Sequence, residues 1–212
     1  MGVTPLSEST EVIGVLAELL AHPGVEEVCE LRGQFGLLAP HGGNLEQGTD
    51  TVASRAADRA GASLYMVRQP PDLYWHVPSV AFDAAASPAL AAFVGHVDIV
   101  VAVHGYGRID MWTTLLLGGR NRGLAARLSA ALRARLGGGF TIVDDLEAIP
   151  PELRGLHRRN PVNLPRCGGV QLELPPRMRS GTGAPTYRPE YENAVVDALV
   201  EVATTPTSET YG

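Results

Sequence analysis

The sequence predicts a single α/β domain with a mixed, mostly parallel sheet and helices on both faces. Apolar segments typical of strands alternate with amphipathic segments long enough for helices. VDIVVAVHGYG (97–107) is a nearly continuous β-branched run, which is typical of a strand buried on both faces. The chain has 212 residues, 45% of them hydrophobic, which suits one domain over residues 1–203 and a polar tail at 204–212.

Seven strands are predicted from apolar or β-branched composition, bounded by turn residues. In chain order they are VEEVCELRG (25–33), FGLLAPHGG (35–43), ASLYMVRQP (62–70), VDIVVAVHGYG (97–107), MWTTLLLGG (111–119), FTIVDD (140–145) and GGVQLELP (168–175). A turn near Gly33 and Gln34 is expected to join the first two strands.

Five helices are predicted between and around these strands. The first has apolar residues at helical spacing from Val12 to Leu20 and ends before Pro23 and Gly24. The third begins with a Ser cap followed by Pro, as helices commonly do. After the first, the helices are DTVASRAADRAG (50–61), SPALAAFVG (87–95), RNRGLAARLSAALRARLGGG (120–139) and RPEYENAVVDALVEVA (188–203).

The charge distribution argues against a general nucleic-acid-binding protein. The formal net charge is -6, whereas neutralising phosphates needs a basic face. All 17 basic residues are arginines, and seven of them lie from Arg154 to Arg188. These seven form either a solvated face or a site for an anionic ligand, because guanidinium groups bind carboxylates in a planar, bidentate way.

Cysteine usage and the first residues bear on compartment. Cys29 and Cys167 form no recognisable motif and are interpreted as ordinary small residues. The first 24 residues lack a basic region, and Glu11 and Glu18 interrupt their apolar run. We therefore expect neither a signal peptide nor a membrane span, no membrane partner, and a cytoplasmic location.

Two histidines fall where predicted strands end. His41 follows FGLLAP and His104 follows VDIVVAV, and glycine comes directly after each. Ligands of open α/β sheets bind at the carboxyl ends of strands. A loop bent at Gly42 and Gly43 can also bring Glu46 to the same point. Two imidazoles and one carboxylate are a catalytic zinc set with the fourth position left to water. The alternative is two hydrogen-bonded strand-end histidines beside a solvated acid.

The last predicted strand offers a proton acceptor for such a site. Gln171 and Glu173 share one face of the strand, and apolar residues share the other. A zinc-activated water needs an acceptor that is not itself a ligand. Glu173 is therefore the candidate general base, and an exposed edge strand is the alternative explanation.

Six segments between residues 37 and 179 carry a further signal: APHGGNLEQGT, LYWHVPSVAFD, VDIVVAVHGYG, LGGRNRGLAARL, NPVN and GGVQLELPPRMR. Together they resemble the zinc-dependent poly-γ-glutamate hydrolases, first described as phage depolymerases, which belong to a wider zinc-carboxypeptidase-like fold. The resemblance implies one zinc ion per chain, held by His41, Glu46 and His104, with Glu173 as the general base.

The chain departs from the family pattern at some positions. Asn44 stands where the family often has a third glycine, and His76 begins the segment HVPS where the family has HxTS. His76 is kept out of the metal set. The pair Asn121-Arg122 looks like the substrate clamp of carboxypeptidases, although it follows the second histidine, so it is interpreted first as a helix N-terminus and second as a substrate contact.

The resulting functional prediction is a zinc-dependent hydrolase that cleaves amide bonds of γ-linked glutamate polymers or peptides. Its partner would be an anionic polymer or small molecule whose free carboxylates are held by arginines. The candidate substrate contacts are Arg108, Arg179, Gln171, Asn121 and Arg122. Two alternatives remain: a zinc deacylase or amidase of N-acyl amino acids or peptidoglycan stem peptides, and a metal-stabilised binding module without catalysis.

Overall fold

A seven-stranded mixed sheet organises the chain in the computed structural model, which describes residues 8–205. The strands are β1 (Glu26–Glu30), β2 (Gly33–Gly43), β3 (Ala62–Gln69), β4 (Ile99–Gly105), β5 (Thr114–Leu117), β6 (Thr141–Val143) and β7 (Gly169–Leu174). The helices are α1 (Glu8–Leu20), α2 (Thr49–Ala60), α3 (Pro88–His96), α4 (Arg122–Leu136) and α5 (Pro189–Thr204). All twelve correspond to segments expected from the sequence.

The strand order is β1-β3-β2-β4-β7-β5-β6. The four pairs β3-β2, β2-β4, β4-β7 and β5-β6 are parallel, whereas β1-β3 and β7-β5 are antiparallel. The expected mixed, mostly parallel sheet is therefore confirmed. Its centre is β2-β4-β7, and because these strands are parallel, their carboxyl ends lie side by side at the same end of the sheet.

Helices cover both faces of the sheet, as predicted. Helices α2, α4 and α5 pack on one face with Val101 and Val103 of β4, and α1 and α3 pack on the other with Val100 and Ala102. None of these four β4 side chains is exposed to solvent. Burial of alternate residues on opposite faces explains why the segment reads as a continuous apolar run.

The structure differs from expectation in several connections. The link between β1 and β2 lies at Leu31 and Arg32, and β1 pairs with β3, not with β2. Two long loops, 70–87 and 144–168, contain only short 3-10 turns.

Helix α5 extends one residue into the expected polar tail, and the rest of that tail from residue 206 lies outside the described residues. The domain boundary stays a prediction.

Strands β1 and β6 form the two edges of the sheet. Strand β6 has only three residues. Strand β1 presents Glu26, Glu27 and Glu30, which are all exposed. Among the described helices, none has the length and apolar character needed to cross a membrane.

Candidate metal centre and active-site cleft

A cleft of about 950 Å³ opens at the carboxyl ends of the three central strands. His41 near the end of β2, His104 near the end of β4 and Glu173 near the end of β7 all line it. Glu46, from the loop between β2 and α2, lies with them. Two further loops, 74–80 and 151–160, also contribute lining residues. The sheet topology thus brings together residues that are far apart in the sequence.

Glu46 reaches His41 because the chain turns tightly after β2. The backbone amide of Glu46 donates to the carbonyl of His41 at 2.9 Å. Gly43 has a φ of +69°, and a Cβ there would lie 2.2 Å from the Gln69 carbonyl oxygen. A side chain at position 43 would therefore push β2 away from β3. The glycines after His41 allow the turn that brings the carboxylate back to the imidazole.

His41 is held in one tautomer by the backbone. Its Nε2 lies 2.8 Å from the carbonyl oxygen of Val77, which can only accept a hydrogen bond, so Nε2 carries the proton. The other ring nitrogen, Nδ1, faces Oε1 of Glu46 at 2.7 Å. Two lone pairs meet there unless a second proton or a cation lies between them. Metal-binding histidines commonly donate their other N–H to a carbonyl in this way.

His104 completes the group on the opposite side of Glu46. Its Nδ1 lies 3.5 Å from Oε2 of Glu46, and its ring centroid lies 5.1 Å from that of His41. The candidate ligand atoms of His41, Glu46 and His104 all lie within 4.8 Å of one another. Nε2 of His104 is buried and has no hydrogen-bond partner among the described residues. Two imidazoles and a carboxylate this close together fit a zinc ion.

The electrostatics of the group favour a cation. Burial alone raises the pKa of Glu46, but the charges and hydrogen bonds of His41 and His104 outweigh burial and hold that pKa well below its usual range. Burial alone lowers the pKa of His104, and the carboxylate of Glu46 reverses this and raises it. Glu46 is therefore held as an anion between the two imidazoles, and its side chain is only 12% exposed, unlike a solvated acid.

Glu173 lies on an interior strand, so the alternative of an exposed edge strand is wrong. Strand β7 pairs with β4 on one side and β5 on the other, and Glu173 is opposite His104 in the β4 register. The residue is 3% exposed. Burial raises the pKa of its carboxyl group, and nearby Glu46 adds to this. A buried acid with a raised pKa beside a cleft is the arrangement expected of a general base.

Arg179 lies at the cleft, but its hydrogen bonds go to the backbone. The guanidinium donates to the carbonyl oxygens of Gln47, Tyr106 and Leu174. Each acceptor follows a site residue by one or two positions along the chain. A Cβ on Gly105 would lie 2.4 Å from the guanidinium carbon, so the guanidinium packs directly on this backbone. Arg179 therefore ties together the segments that carry Glu46, His104 and Glu173.

The other candidate substrate contacts are placed differently. Arg108 is not among the lining residues, but it pairs with Glu152, which is, and the two side chains are 43% and 59% exposed. Gln171 is 5% exposed and donates to Glu173 at 2.8 Å. Of the seven arginines between Arg154 and Arg188, the cleft lining includes two, Arg154 and Arg179. The stretch therefore does not form one anion site.

For Asn121 and Arg122 the first interpretation, a helix N-terminus, is confirmed, and the second, a substrate contact, is corrected because neither lines the cleft. The Asn121 side chain caps α4 by accepting from the Leu124 amide at 2.8 Å, and it donates to the Cys167 carbonyl. The Arg122 guanidinium binds backbone carbonyls, including that of Leu117 at 3.0 Å. Both side chains hold the start of a helix, which explains their polar character without a substrate.

Two residues at the cleft received no role from the sequence. His76 lines the cleft with its ring centroid 5.0 Å from that of His41, outside the three-residue metal group. Asn160 is 4% exposed and donates to the Gln171 side chain. Its motif NPVN was visible in the sequence, but the contact depends on the long loop 144–168, whose path no sequence periodicity indicates.

The sequence of this chain is similar to known proteins. A family model described as poly-gamma-glutamate hydrolase matches residues 18–192. The SPbeta prophage-derived UPF0714 protein YoqZ of Bacillus subtilis (strain 168) is 30% identical over 145 residues, which are 68% of this chain. The chain spans about half of that relative, 49% of its length.

Two solved structures share the fold. One is described as a bacteriophage poly-gamma-glutamate hydrolase, with a TM-score of 0.71, 23% identity, and coverage of 87% of this chain and 91% of the other. The second, described as YNDL-apo (zinc-free), has a TM-score of 0.66, 22% identity, and coverage of 84% and 88%.

Proposed function

The chain belongs to the poly-gamma-glutamate hydrolase family, and we propose that it hydrolyses amide bonds of γ-linked glutamate polymers or peptides. One observation carries the proposal beyond family membership. His41, Glu46 and His104 converge at the ends of two adjacent strands, and the buried acid Glu173 lies beside them on the third strand, at an open cleft. Metal-assisted amide hydrolysis needs this pairing of a ligand set with a separate proton acceptor.

The three converging residues would hold one zinc ion per chain. The lone pair of His41 Nδ1 and the carboxylate of Glu46 face each other at 2.7 Å, and a cation removes the repulsion between them. When bound, zinc activates a water molecule and polarises the scissile carbonyl group. The Val77 carbonyl keeps the His41 ring oriented for this role.

Glu173 would move the proton. Its buried carboxylate accepts the proton of the attacking water and returns it to the leaving amine. Burial raises the pKa of Glu173 toward the working pH, which favours both halves of this transfer. Its position opposite His104 keeps the carboxyl group beside the candidate ligands without making it one of them.

The substrate would enter along the open cleft. A γ-linked glutamate polymer carries one free carboxylate per residue, so its binding needs positively charged groups near the cleft. Arg108 is the candidate for this contact, because its side chain is 43% exposed and pairs with Glu152, which lines the cleft. Arg179 and Gln171 would position site residues instead of binding substrate, because their hydrogen bonds already go to the Gln47 backbone and to Glu173.

The test combines metal content with substrate cleavage. We expect about one zinc per chain in wild-type protein, loss of zinc in His104→Ala, and retention in His96→Ala, a histidine bound to the Arg32 carbonyl away from the cleft. Poly-γ-glutamate incubated with the wild-type protein should shorten, as followed by size-exclusion chromatography. A chelator should stop the reaction and added zinc restore it.

Two outcomes would redirect the proposal. Cleavage of N-acyl amino acids with an intact polymer would identify a deacylase or amidase. Zinc binding without cleavage of either class would identify a metal-stabilised binding module. Absence of stoichiometric metal after zinc is supplied would refute the proposed chemistry.

A further inference from the structure

A line of three buried polar side chains leads from the loop 151–160 to Glu173. Nδ2 of Asn160 donates to Oε1 of Gln171 at 2.9 Å. Nε2 of Gln171 donates to Oε1 of Glu173 at 2.8 Å. The three residues are 4%, 5% and 3% exposed, respectively. None of these hydrogen bonds is explained by the general need for a ligand set and a base.

The direction of this line is fixed at its far end. Oδ1 of Asn160 accepts from the backbone amide of Val162 at 3.2 Å, and a backbone N–H can only donate. The carbonyl end of the Asn160 amide is therefore committed, and its NH₂ end must face Gln171. Gln171 must then turn its own carbonyl to Asn160 and its NH₂ group to Glu173.

One contact at Gln171 agrees with this orientation, and a second restricts the space around the amide. Its Nε2 lies 3.4 Å from the carbonyl oxygen of Leu153, which can only accept. The loop backbone also lies directly over the amide: a Cβ at Gly155 would be 2.4 Å from Oε1 of Gln171, and Gly155 has a φ of +62°. The Leu153 carbonyl thus favours one of the two amide orientations, and the Gly155 backbone leaves the side chain little room to move.

A donor held against Oε1 of Glu173 has a consequence for proton transfer. A carboxyl group accepts a hydrogen bond better through its carbonyl oxygen than through its hydroxyl oxygen, so the NH₂ group of Gln171 on Oε1 favours a proton on Oε2. We propose that Asn160 and Gln171 are positioning residues that reserve Oε2 of Glu173 for the proton moved during hydrolysis. This inference rests on the proposed function, and it makes loop 151–160 part of the catalytic apparatus through hydrogen bonds.

Asn160→Asp is expected to reverse the donor–acceptor direction of these hydrogen bonds while keeping a side chain of similar size at position 160. The new carboxylate still accepts from Val162, but it offers only acceptors to Gln171, so the Gln171 amide must rotate and present its carbonyl oxygen to Glu173. Glu173 can then pair with it only by protonating Oε1. We expect kcat to fall by roughly 10²-fold, at the lower end of what general acid–base catalysis contributes. Zinc content should remain within about twofold of wild type, because the three candidate ligands do not change.

Asn163→Asp is the matched control. Asn163 lies just beyond loop 151–160, in the 3-10 turn Pro161–Asn163; it donates to the Gly155 and His157 carbonyls and makes no hydrogen bond to Gln171 among the described contacts. If loosening of the loop were responsible, this variant would lose as much activity as Asn160→Asp. We expect it to keep kcat. Gln171→Met, which keeps a similar volume and removes both hydrogen bonds, is the second variant should Asn160→Asp fail to fold.

An activity-independent measurement accompanies the kinetics. The side-chain NH₂ resonances of Gln171, identified by their loss in Gln171→Met, should shift in Asn160→Asp and stay in place in Asn163→Asp. Unchanged Gln171 resonances in Asn160→Asp, an unchanged kcat there, or an equal loss in Asn163→Asp would each overturn the proposal. If wild-type protein leaves every substrate intact while the resonances shift as expected, the proposed function fails and the orientation of the hydrogen bonds stands.

Discussion

Replacing Glu173 by glutamine isolates proton transfer from metal binding. The amide has the same shape, and its carbonyl oxygen can still accept from Nε2 of Gln171, which donates at 2.8 Å in the wild-type protein. The lost property is the ability to take up a proton. General acid–base catalysis contributes about 10²- to 10⁴-fold, which is about 3–5 kcal/mol of transition-state stabilisation. We expect kcat to fall by that factor with zinc content unchanged, measured by polymer cleavage beside elemental analysis.

The same substitution should lower activity but raise the stability of the folded protein at neutral pH. Burial raises the pKa of Glu173 in the folded protein above its unfolded value. Stability from this group is therefore complete at pH values below the unfolded pKa and is lost as the pH rises through the folded pKa. Metal-free Glu173→Gln lacks this loss. Its melting temperature should equal that of wild type in acid and exceed it at neutral pH.

Glu192→Gln provides the control for removing a buried carboxylate. Glu192 is also 3% exposed, but it binds Arg55 and the Ser180 amide away from the cleft. We expect this variant to lose stability by about 1–3 kcal/mol and to keep its turnover, because glutamine keeps one acceptor oxygen and leaves either Arg55 or the Ser180 amide facing an NH₂ group. Near-normal kcat in Glu173→Gln, or an equal loss of kcat in Glu192→Gln, would refute the assignment of Glu173 as the base.

Three further predictions follow from particular contacts. Gly105→Ala places a Cβ 2.4 Å from the guanidinium of Arg179, so we expect about 1–3 kcal/mol of destabilisation in denaturant titrations and weaker zinc binding by competition with a chelator; unchanged zinc affinity would contradict the role of Arg179 as a tie. Asn121→Ala removes the cap at Leu124 and should cost about 1 kcal/mol of stability with full turnover, whereas a raised KM would return Asn121 to the substrate site. Phe93→Ala, at a side chain with no solvent exposure, should lower the free energy of unfolding by about 3–5 kcal/mol while the folded protein still binds zinc.

Local patterns in the sequence predict the elements and the chemical groups at their ends. His41 and His104 could be assigned to strand ends because β-branched runs stop there and glycine follows. Placement of Glu173 inside the sheet could not be predicted, because pairing of β7 between β4 and β5 depends on contacts distant in sequence. Arg122 shows the converse: a motif typical of substrate binding serves the backbone, since side-chain chemistry alone does not specify the partner.

The two sheet edges have a consequence for behaviour at high concentration. An unpaired strand edge offers free backbone groups to a second molecule, which is a common start of aggregation. Strand β6 offers only three residues for such pairing. Strand β1 carries three exposed glutamates, and Glu26 and Glu30 form ion pairs with Arg68 and Arg32, so a second copy could pair with this edge only by packing against charged side chains. A very short strand at one edge and a charged strand at the other thus both disfavour growth of the sheet across molecules.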